Sequence, residues 1–351
     1  MEKEATLYRK LEGRKVECTA CARLCKIPEG AHGFCFVRRN RGGRLYLANY
    51  GLAEAVQVDP IEKKPFNHFM PGAYVLGIGT SSCNFGCLFC QNHSISKKRD
   101  IRGMELEPEW AVELALEQGV QGIAYTYNEP TIFIEYALDT ARLARRKGLK
   151  NVWVSNGYMT EDSVREMKGL VDAVVVDFKG SGEQKFANKY ETVQSEEPIK
   201  EALLWMKKAK IHIEITDLII PQVGDSLKAC DSLTKWIAND LGRDTPTQFT
   251  RFHPDYRMLD FQETPYSTLK THYDTARRNG LNYVYIGNAP GNRHESTYCP
   301  GCHRKVIGRL GFGITEWNID ARNRCMGCGR EIPIEGERAR GLSRRRISVL
   351  Y

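Results

Sequence analysis

Between residues 74 and 288 the chain alternates short apolar runs with longer stretches of helical periodicity. The runs YVLGIGTSS (74–82), GIAYTY (122–127), NVWVSN (151–156), DAVVVDFK (172–179), IHIEITDLII (211–220), TQFTRFHP (247–254) and NYVYIGN (282–288) are β-branched or aromatic, and each predicts a strand. The amphipathic stretches between them predict helices over 108–118, 131–147, 160–169, 197–209, 226–241 and 265–279. Pro108 suits a first helical position, and Thr160 suits a helix cap followed by Glu161 and Asp162 in the first turn. Strand–helix alternation implies a parallel sheet with crossover helices. Six or seven such units over 74–290 predict an α/β fold, a full or partial (β/α) barrel rather than a small open sheet. In barrels of this kind chemistry gathers at the C-terminal ends of the strands. The chemically unusual residues fall there: Cys83–Cys90, Asn128–Glu129, Ser155–Asn156, Asp177–Lys179 and His253.

The flanks break the pattern. Residues 1–73 are rich in Cys, Gly and Arg with weak periodicity, and 291–351 carry paired cysteines and a basic tail. The expected organisation is a Cys-rich N-terminal metal-binding module (1–73), a barrel core (74–290) and a C-terminal module (291–351). With 42% hydrophobic and 27% charged residues, the composition excludes a collagen-like, coiled-coil or largely disordered chain. No apolar run reaches the ~18 residues of a membrane helix, and MEKEATLYRKLEGRK lacks the apolar core of a signal peptide. A cytoplasmic address without membrane contact is the expectation. The net charge of +8 concentrates in RRNRGGR (38–44) and RARGLSRRR (338–346). Such runs read first as solvated surface, with nucleic acid or an acidic protein as the minority partner.

Twelve cysteines change the picture more than charge does. Eleven fall in three clusters: Cys18, Cys21, Cys25 and Cys35; Cys83, Cys87 and Cys90; and Cys299, Cys302, Cys325 and Cys328. In a chain whose thiols stay reduced, clustering means metal ligation rather than disulfides. Cys230, alone in a predicted helix beside Leu233 and Ile237, reads as a small core residue. The central triplet, C-x3-C-x2-C directly after a strand, can bind three irons of a 4Fe–4S cube and leave the fourth without a protein ligand. That open iron suits chelation by the amino and carboxylate groups of S-adenosylmethionine. A structural zinc site is the alternative, with His93 as fourth ligand. At the C-terminus, C-P-G-C and C-M-G-C knuckles fit a four-cysteine zinc ribbon, with rubredoxin-like iron as the alternative and His303 as a weaker ligand candidate. The N-terminal quartet fits zinc or a second iron–sulfur cluster equally well, because spacing does not choose the metal.

With these motifs the chain resembles the radical SAM superfamily, within it the pyruvate formate-lyase activating enzyme-like group, and more closely the radical SAM member of the AmmeMemoRadiSam system. The strings that carry the likeness are CTACARLCKIPEGAHGFC, CNFGCLFCQN, YTYNEPTIF, SNGY, VVVDFKG, LIIPQVGDS, FHPDYRM and GNAPGNRHESTYCPGC. The resemblance implies Cys83, Cys87 and Cys90 as ligands of a 4Fe–4S cluster and Phe89 as the aromatic against adenine. Tyr127, Asn128, Glu129 and Pro130 stand where the family has Gly-Gly-Glu, so only Glu129 and Pro130 match directly. Ser155-Asn156-Gly157 resembles the family's Thr-Asn-Gly segment; Val154 replaces the acidic residue before it, with Ser155 or Asn156 as substitutes. Asp177 and Lys179 match an Asp-x-Lys pair at the methionine end, and His253 matches a histidine after the sixth strand. The implied activity is reductive cleavage of S-adenosylmethionine to a 5′-deoxyadenosyl radical that abstracts hydrogen from a substrate the sequence does not identify. The implied partners are a ferredoxin- or flavodoxin-type electron donor and Memo-like and AMMECR-like proteins. Two alternatives stand beside this one: an activase that makes a glycyl radical on a partner protein, and a zinc-rich protein that binds nucleic acid without catalysis.

Overall fold

In the computed structural model, which describes residues 2–336 and 339, eight strands form the central sheet. They are β1 (Ala55–Pro60), β2 (Tyr74–Gly79), β3 (Gly122–Tyr125), β4 (Lys150–Ser155), β5 (Ala173–Lys179), β6 (His212–Ile219), β7 (Thr247–Arg251) and β8 (Val284–Gly287). Their spatial order is their chain order, from β1 at one edge to β8 at the other. β2 to β8 run parallel, while β1 pairs antiparallel with β2. The sheet is therefore a partial barrel with two edges. β1 comes from the stretch expected to belong to the N-terminal module; six residues ending in Pro60 carry little periodic signal. The expected basic stretch at 338–346 lies, apart from Ala339, outside the described residues.

Each expected helix is present: α1 (Pro108–Glu117), α2 (Ile134–Arg146), α3 (Glu161–Met167), α4 (Glu197–Lys208), α5 (Leu227–Trp236) and α6 (Tyr266–Arg278). Pro108 opens α1, where its missing N–H costs nothing, and the Thr160 hydroxyl accepts from the Ser163 amide at 3.3 Å. α2 turns Ile134, Ala137, Leu138, Ala141 and Ala144 inward, a stripe at helical spacing. Cys230 is fully buried in α5, as a core residue should be. Among the described residues no helix is long and apolar enough to cross a membrane.

One end of the barrel is filled. Ile61, Phe66, Phe69 and Ala73 pack against Val75, Ala124, Val152, Ala173 and Val175 from the strands. The backbone amides of Asn67, His68 and Phe69 donate to the Glu214 carboxylate at 2.7, 2.8 and 3.0 Å. Glu214 lies near the start of β6, so this plug closes the N-terminal end of the strands and leaves the C-terminal end for chemistry.

The N-terminal residues fold into two small three-stranded sheets whose apolar residues merge with the barrel's core. Here the reading of 38–44 as solvated surface needs correction. Arg38 is 2% exposed, and its guanidinium forks onto Glu135 of α2 at 3.1 and 2.7 Å while Nε donates to the Ile132 carbonyl. Arg41 and Arg44 pair with Glu2 and Glu4. The correction falls on Arg38; Arg41 and Arg44 stay exposed, in ion pairs at the surface. At the other end, Thr297–Tyr298, Lys305–Leu310 and Gly313–Trp317 form an antiparallel sheet. Its own core of Val306, Ile307, Ile319, Ile332 and Ile334 rests on Tyr283 and Tyr285 beside and within β8.

Candidate active site and metal centres

The triplet sits in the loop that leaves β2. Ser82 turns the chain with φ 73°, and its amide donates to the Ile95 carbonyl at 2.9 Å. Gly86 is needed at the next bend, because a Cβ there would stand 2.6 Å from the Thr192 hydroxyl. Across the loop the Gly86 and Leu88 amides donate to the carbonyls of Glu191 and Tyr190, both at 2.9 Å. Cys87 is buried and Cys83 and Cys90 are half-buried. Desolvation raises the Cys83 and Cys87 thiols, with Glu191 adding to the effect at Cys87 and Lys97 opposing it. Three thiols on one loop, two of them made harder to ionise by burial, fit a metal cluster whose positive charge would hold them as thiolates. His93, the expected fourth-ligand candidate, has its Nδ1 3.2 Å from Asp255 Oδ1 and from the Cys90 carbonyl, and its ring stacks on Tyr256. The donor set therefore suits a cluster with one coordination position left to a ligand.

The residues expected around this loop fall into three groups. Asn128, Glu129, Ser155 and Asn156 are buried at the C-terminal ends of β3 and β4, the last three in one hydrogen-bonded network. The Asn128 amide group donates to the Ser82 carbonyl at 2.7 Å and its oxygen accepts from the Thr80 amide at 3.0 Å, fixing where the triplet loop begins. Glu129 accepts from the Ser155 hydroxyl at 2.9 Å, the Asn156 amide at 2.8 Å and the Thr131 amide at 3.0 Å. Burial still raises its pKa against those bonds. Asn156 then donates to Asn84 Oδ1 at 2.8 Å, joining the network to the residue after Cys83. The adjacent Gly157 has φ 72°, and a Cβ there would press on Val176 at 2.8 Å.

The second group is Asp177 and Lys179 at the end of β5, paired at 3.0 Å. Burial works against the Lys179 ammonium, but Asp177, Glu191 and Cys87 together raise its pKa. The third group has other partners. Tyr127 donates its hydroxyl to Asp59 at 2.9 Å, under Lys64, and packs over Gly77 and Gly79 of β2. Phe89 is buried and stacks on Phe186, which stacks on Tyr190. His253 is exposed, and its ion-pair partner is Glu263 at 3.8 Å. From the same string it is Asp255, Tyr256 and the Arg257 amide, bonded to the Leu88 carbonyl, that touch the triplet loop.

Sequence reasoning missed a buried acidic group behind the triplet. Glu191 Oε1 stands 3.9 Å from Cys87 Sγ, and Glu196 is 5% exposed with Oε1 unpartnered. Burial, then Glu196, pushes Glu191 far up; burial carries Glu196 to about 7. Asp217, accepting from the Ser181 amide and hydroxyl at 2.8 and 2.7 Å, completes the group. No motif marks these residues; only the buried position of a Glu after a left-handed turn could have done so.

The two quartets differ in geometry. The Cys299–Cys328 and Cys302–Cys325 sulfur pairs stand 3.5 and 3.6 Å apart. Among the described residues this quartet is the one group of three or more His, Cys, Asp or Glu whose ligand atoms all lie within 4.8 Å of one another. Four thiolates about 2.3 Å from a tetrahedral zinc would be about 3.8 Å apart, so the set fits one ion. At Cys325 burial opposes ionisation, but the Gly327 and Cys328 amides outweigh it and bring the thiol down to about 7. His303 lies outside the group. In the N-terminal quartet Cys18, Cys21 and Cys35 are buried and Cys25 is half-buried. Burial raises the Cys18, Cys21 and Cys35 thiols, Cys35 to about 12.

Comparisons with known proteins bear on this site. The radical SAM superfamily description matches residues 78–236, which span the triplet and the rim from β2 to α5. An uncharacterized protein of Methanocaldococcus jannaschii is 41% identical over 337 residues, covering 95% of this chain and 99% of that one. A second uncharacterized protein of that organism is 23% identical over 216 residues, 58% of this chain and 62% of its own length. Among solved structures, a radical SAM methyltransferase from Sphaerobacter thermophilus is similar with a TM-score of 0.51. That likeness spans 82% of this chain and 78% of that chain at 10% identity, a likeness of fold alone.

Proposed function

Because the chain belongs to the radical SAM superfamily, we propose that Cys83, Cys87 and Cys90 hold a 4Fe–4S cluster and that the barrel mouth binds S-adenosylmethionine. Cluster and S-adenosylmethionine together would supply a 5′-deoxyadenosyl radical for hydrogen abstraction. The observation that carries this reading is three thiols on one loop, with His93 Nδ1 turned to Asp255, pinned by Asn128 and Asn156 at the open end of the sheet. This chain's residues do the positioning. Asn128 fixes the loop's start, and the Glu129 network locks β3 to β4. Phe89, Phe186 and Tyr190 form an aromatic wall that keeps water from the sulfurs. Asp177 and Lys179 present one charge of each sign at the rim, a match for the amino and carboxylate ends of a methionine.

The finer reading is that of the radical SAM member of the AmmeMemoRadiSam system, supported by the strings from CTACARLC to GNRHESTYCPGC. We extend it to a ferredoxin- or flavodoxin-type electron donor and to Memo-like and AMMECR-like partner proteins, and to a structural zinc at the C-terminal quartet. The test is anaerobic reconstitution with iron and sulfide, then dithionite and S-adenosylmethionine, with chromatographic detection of 5′-deoxyadenosine. The wild type is expected to form it and the Cys83→Ala/Cys87→Ala/Cys90→Ala variant to form none. Equal yields from the two would end the proposal.

A further inference from the structure

We propose that Cys18, Cys21, Cys25 and Cys35 hold a second, polynuclear iron–sulfur cluster rather than a single zinc ion. The proposal rests on the radical SAM reading only in counting the triplet's cluster as the first. It starts from a difference in how far the sulfurs stand from a common centre. A single tetrahedral ion needs all four within about 2.3 Å of one point. The C-terminal quartet meets that requirement; the N-terminal quartet does not gather into such a group among the described residues.

What lies between the N-terminal thiols is a cavity of about 10 Å³. All four cysteines line it, with Arg23, Arg38 and Asn84 among its other walls. The sulfurs that line it, no three of which gather within 4.8 Å of one another, stand back farther than coordination of a single ion allows. Bridging them requires a larger inorganic core, and tetrathiolate iron–sulfur clusters are the class with that shape and ligand set.

The surroundings keep the quartet open. Cys21 bridges to Met159 after β4, and the Ala22 amide donates to the Tyr158 carbonyl at 3.1 Å. The Cys18 amide donates to the Cys25 carbonyl at 2.9 Å, and the Arg38–Glu135 pair bolts the strand after Cys35 to α2. Closing the sulfurs onto one ion would require moving elements that belong to the barrel's core. Charge agrees: Arg38 and Arg23 are the cations at the cavity wall, facing an occupant that four thiolates make anionic. Arg23 also donates to the Asn84 and Thr192 carbonyls, so the site abuts the catalytic loop.

The experiment uses the full-length Cys83→Ala/Cys87→Ala/Cys90→Ala variant, reconstituted anaerobically with ferrous iron and sulfide. We expect about four irons and four sulfides per chain to remain. We also expect a dithionite-reduced electron paramagnetic resonance signal that S-adenosylmethionine leaves unchanged. Two zincs and no iron would overturn the proposal. A thermal transition like that of the wild type reports that the variant has folded. Should it be lost, the Cys18→Ser/Cys21→Ser/Cys25→Ser/Cys35→Ser variant decides instead: iron falling to half of wild type supports the cluster, and unchanged iron refutes it. A wild type that makes no 5′-deoxyadenosine while the triple-alanine variant still carries iron counts against the radical reading and leaves this one standing.

Discussion

The N-terminal and C-terminal quartets use the same four ligands in opposite settings. The C-terminal sulfurs close to 3.5 and 3.6 Å within a small sheet that has its own apolar core and meets the barrel through Tyr283 and Tyr285. The N-terminal sulfurs line a cavity inside a core that is continuous with the barrel. A module too small to bury much apolar surface would depend on a metal to organise it, and its four ligands stand within reach of one ion. A site walled by a larger fold is set by that fold and can stand open to the size of its occupant.

The largest effect that could break this contrast is at Cys325. Structural zinc binding in isolated fingers is worth about 10–16 kcal/mol, more than a small sheet can replace. Cys325→Ala is expected to release the zinc, to expose 297–334 to limited proteolysis and to leave the barrel's thermal transition in place. If the barrel melts together with the ribbon, the two regions are not separate in the way their cores suggest. Next in size is Arg38. Breaking a buried ion pair by removing one partner costs about 3–5 kcal/mol, because the other charge is left unpaired. Arg38→Ala should lower the urea midpoint of the whole domain accordingly, whereas Arg38→Met with Glu135→Leu should recover most of the loss. A change in Arg38→Ala of under about 1 kcal/mol would mean that the N-terminal module is not part of the barrel's core.

The same two regions show what could be read in advance. Seven strands and six helices were legible because alternation and helical spacing are local, and the triplet because three cysteines after a strand form a local pattern. The C-terminal quartet was legible for that reason too, each knuckle being complete within four residues. Arg38 was misread because a run of arginines looks the same whether or not a glutamate 97 positions away receives it. β1 was hidden because its pairing with β2 is set by the fold and not by its own six residues. At the site, Asn128, Glu129, Ser155 and Asn156 come together as their strand ends imply. Glu191 and Glu196 were invisible, since their role depends on burial behind Cys87. In the FHPDYRM string the histidine drew attention, yet Asp255 and Tyr256 are the residues turned toward the triplet loop.

The smallest effect sharpens how the C-terminal segment is tied to the barrel. His212, at the start of β6, lies between Glu214 and Glu335, each 3.1 Å from a ring nitrogen, with His68 and the ring of Phe69 nearby. Burial alone would lower its pKa, but the two carboxylates prevail and raise it to about 9. A raised folded-state pKa stabilises the protein fully below the ordinary histidine value of about 6.5, and that contribution is lost as pH rises through about 9. The shift corresponds to roughly 3 kcal/mol, so urea midpoints should fall between pH 6.5 and 9. The same carboxylates are held below their ordinary values, so their contribution is lost only on the acid side. His212→Gln should flatten the alkaline limb, and Glu335→Gln should remove part of it without touching the zinc content. An alkaline limb unchanged in His212→Gln would assign the loss to other groups and leave the C-terminal segment held by its apolar contacts and its backbone bonds to His68 and Met70.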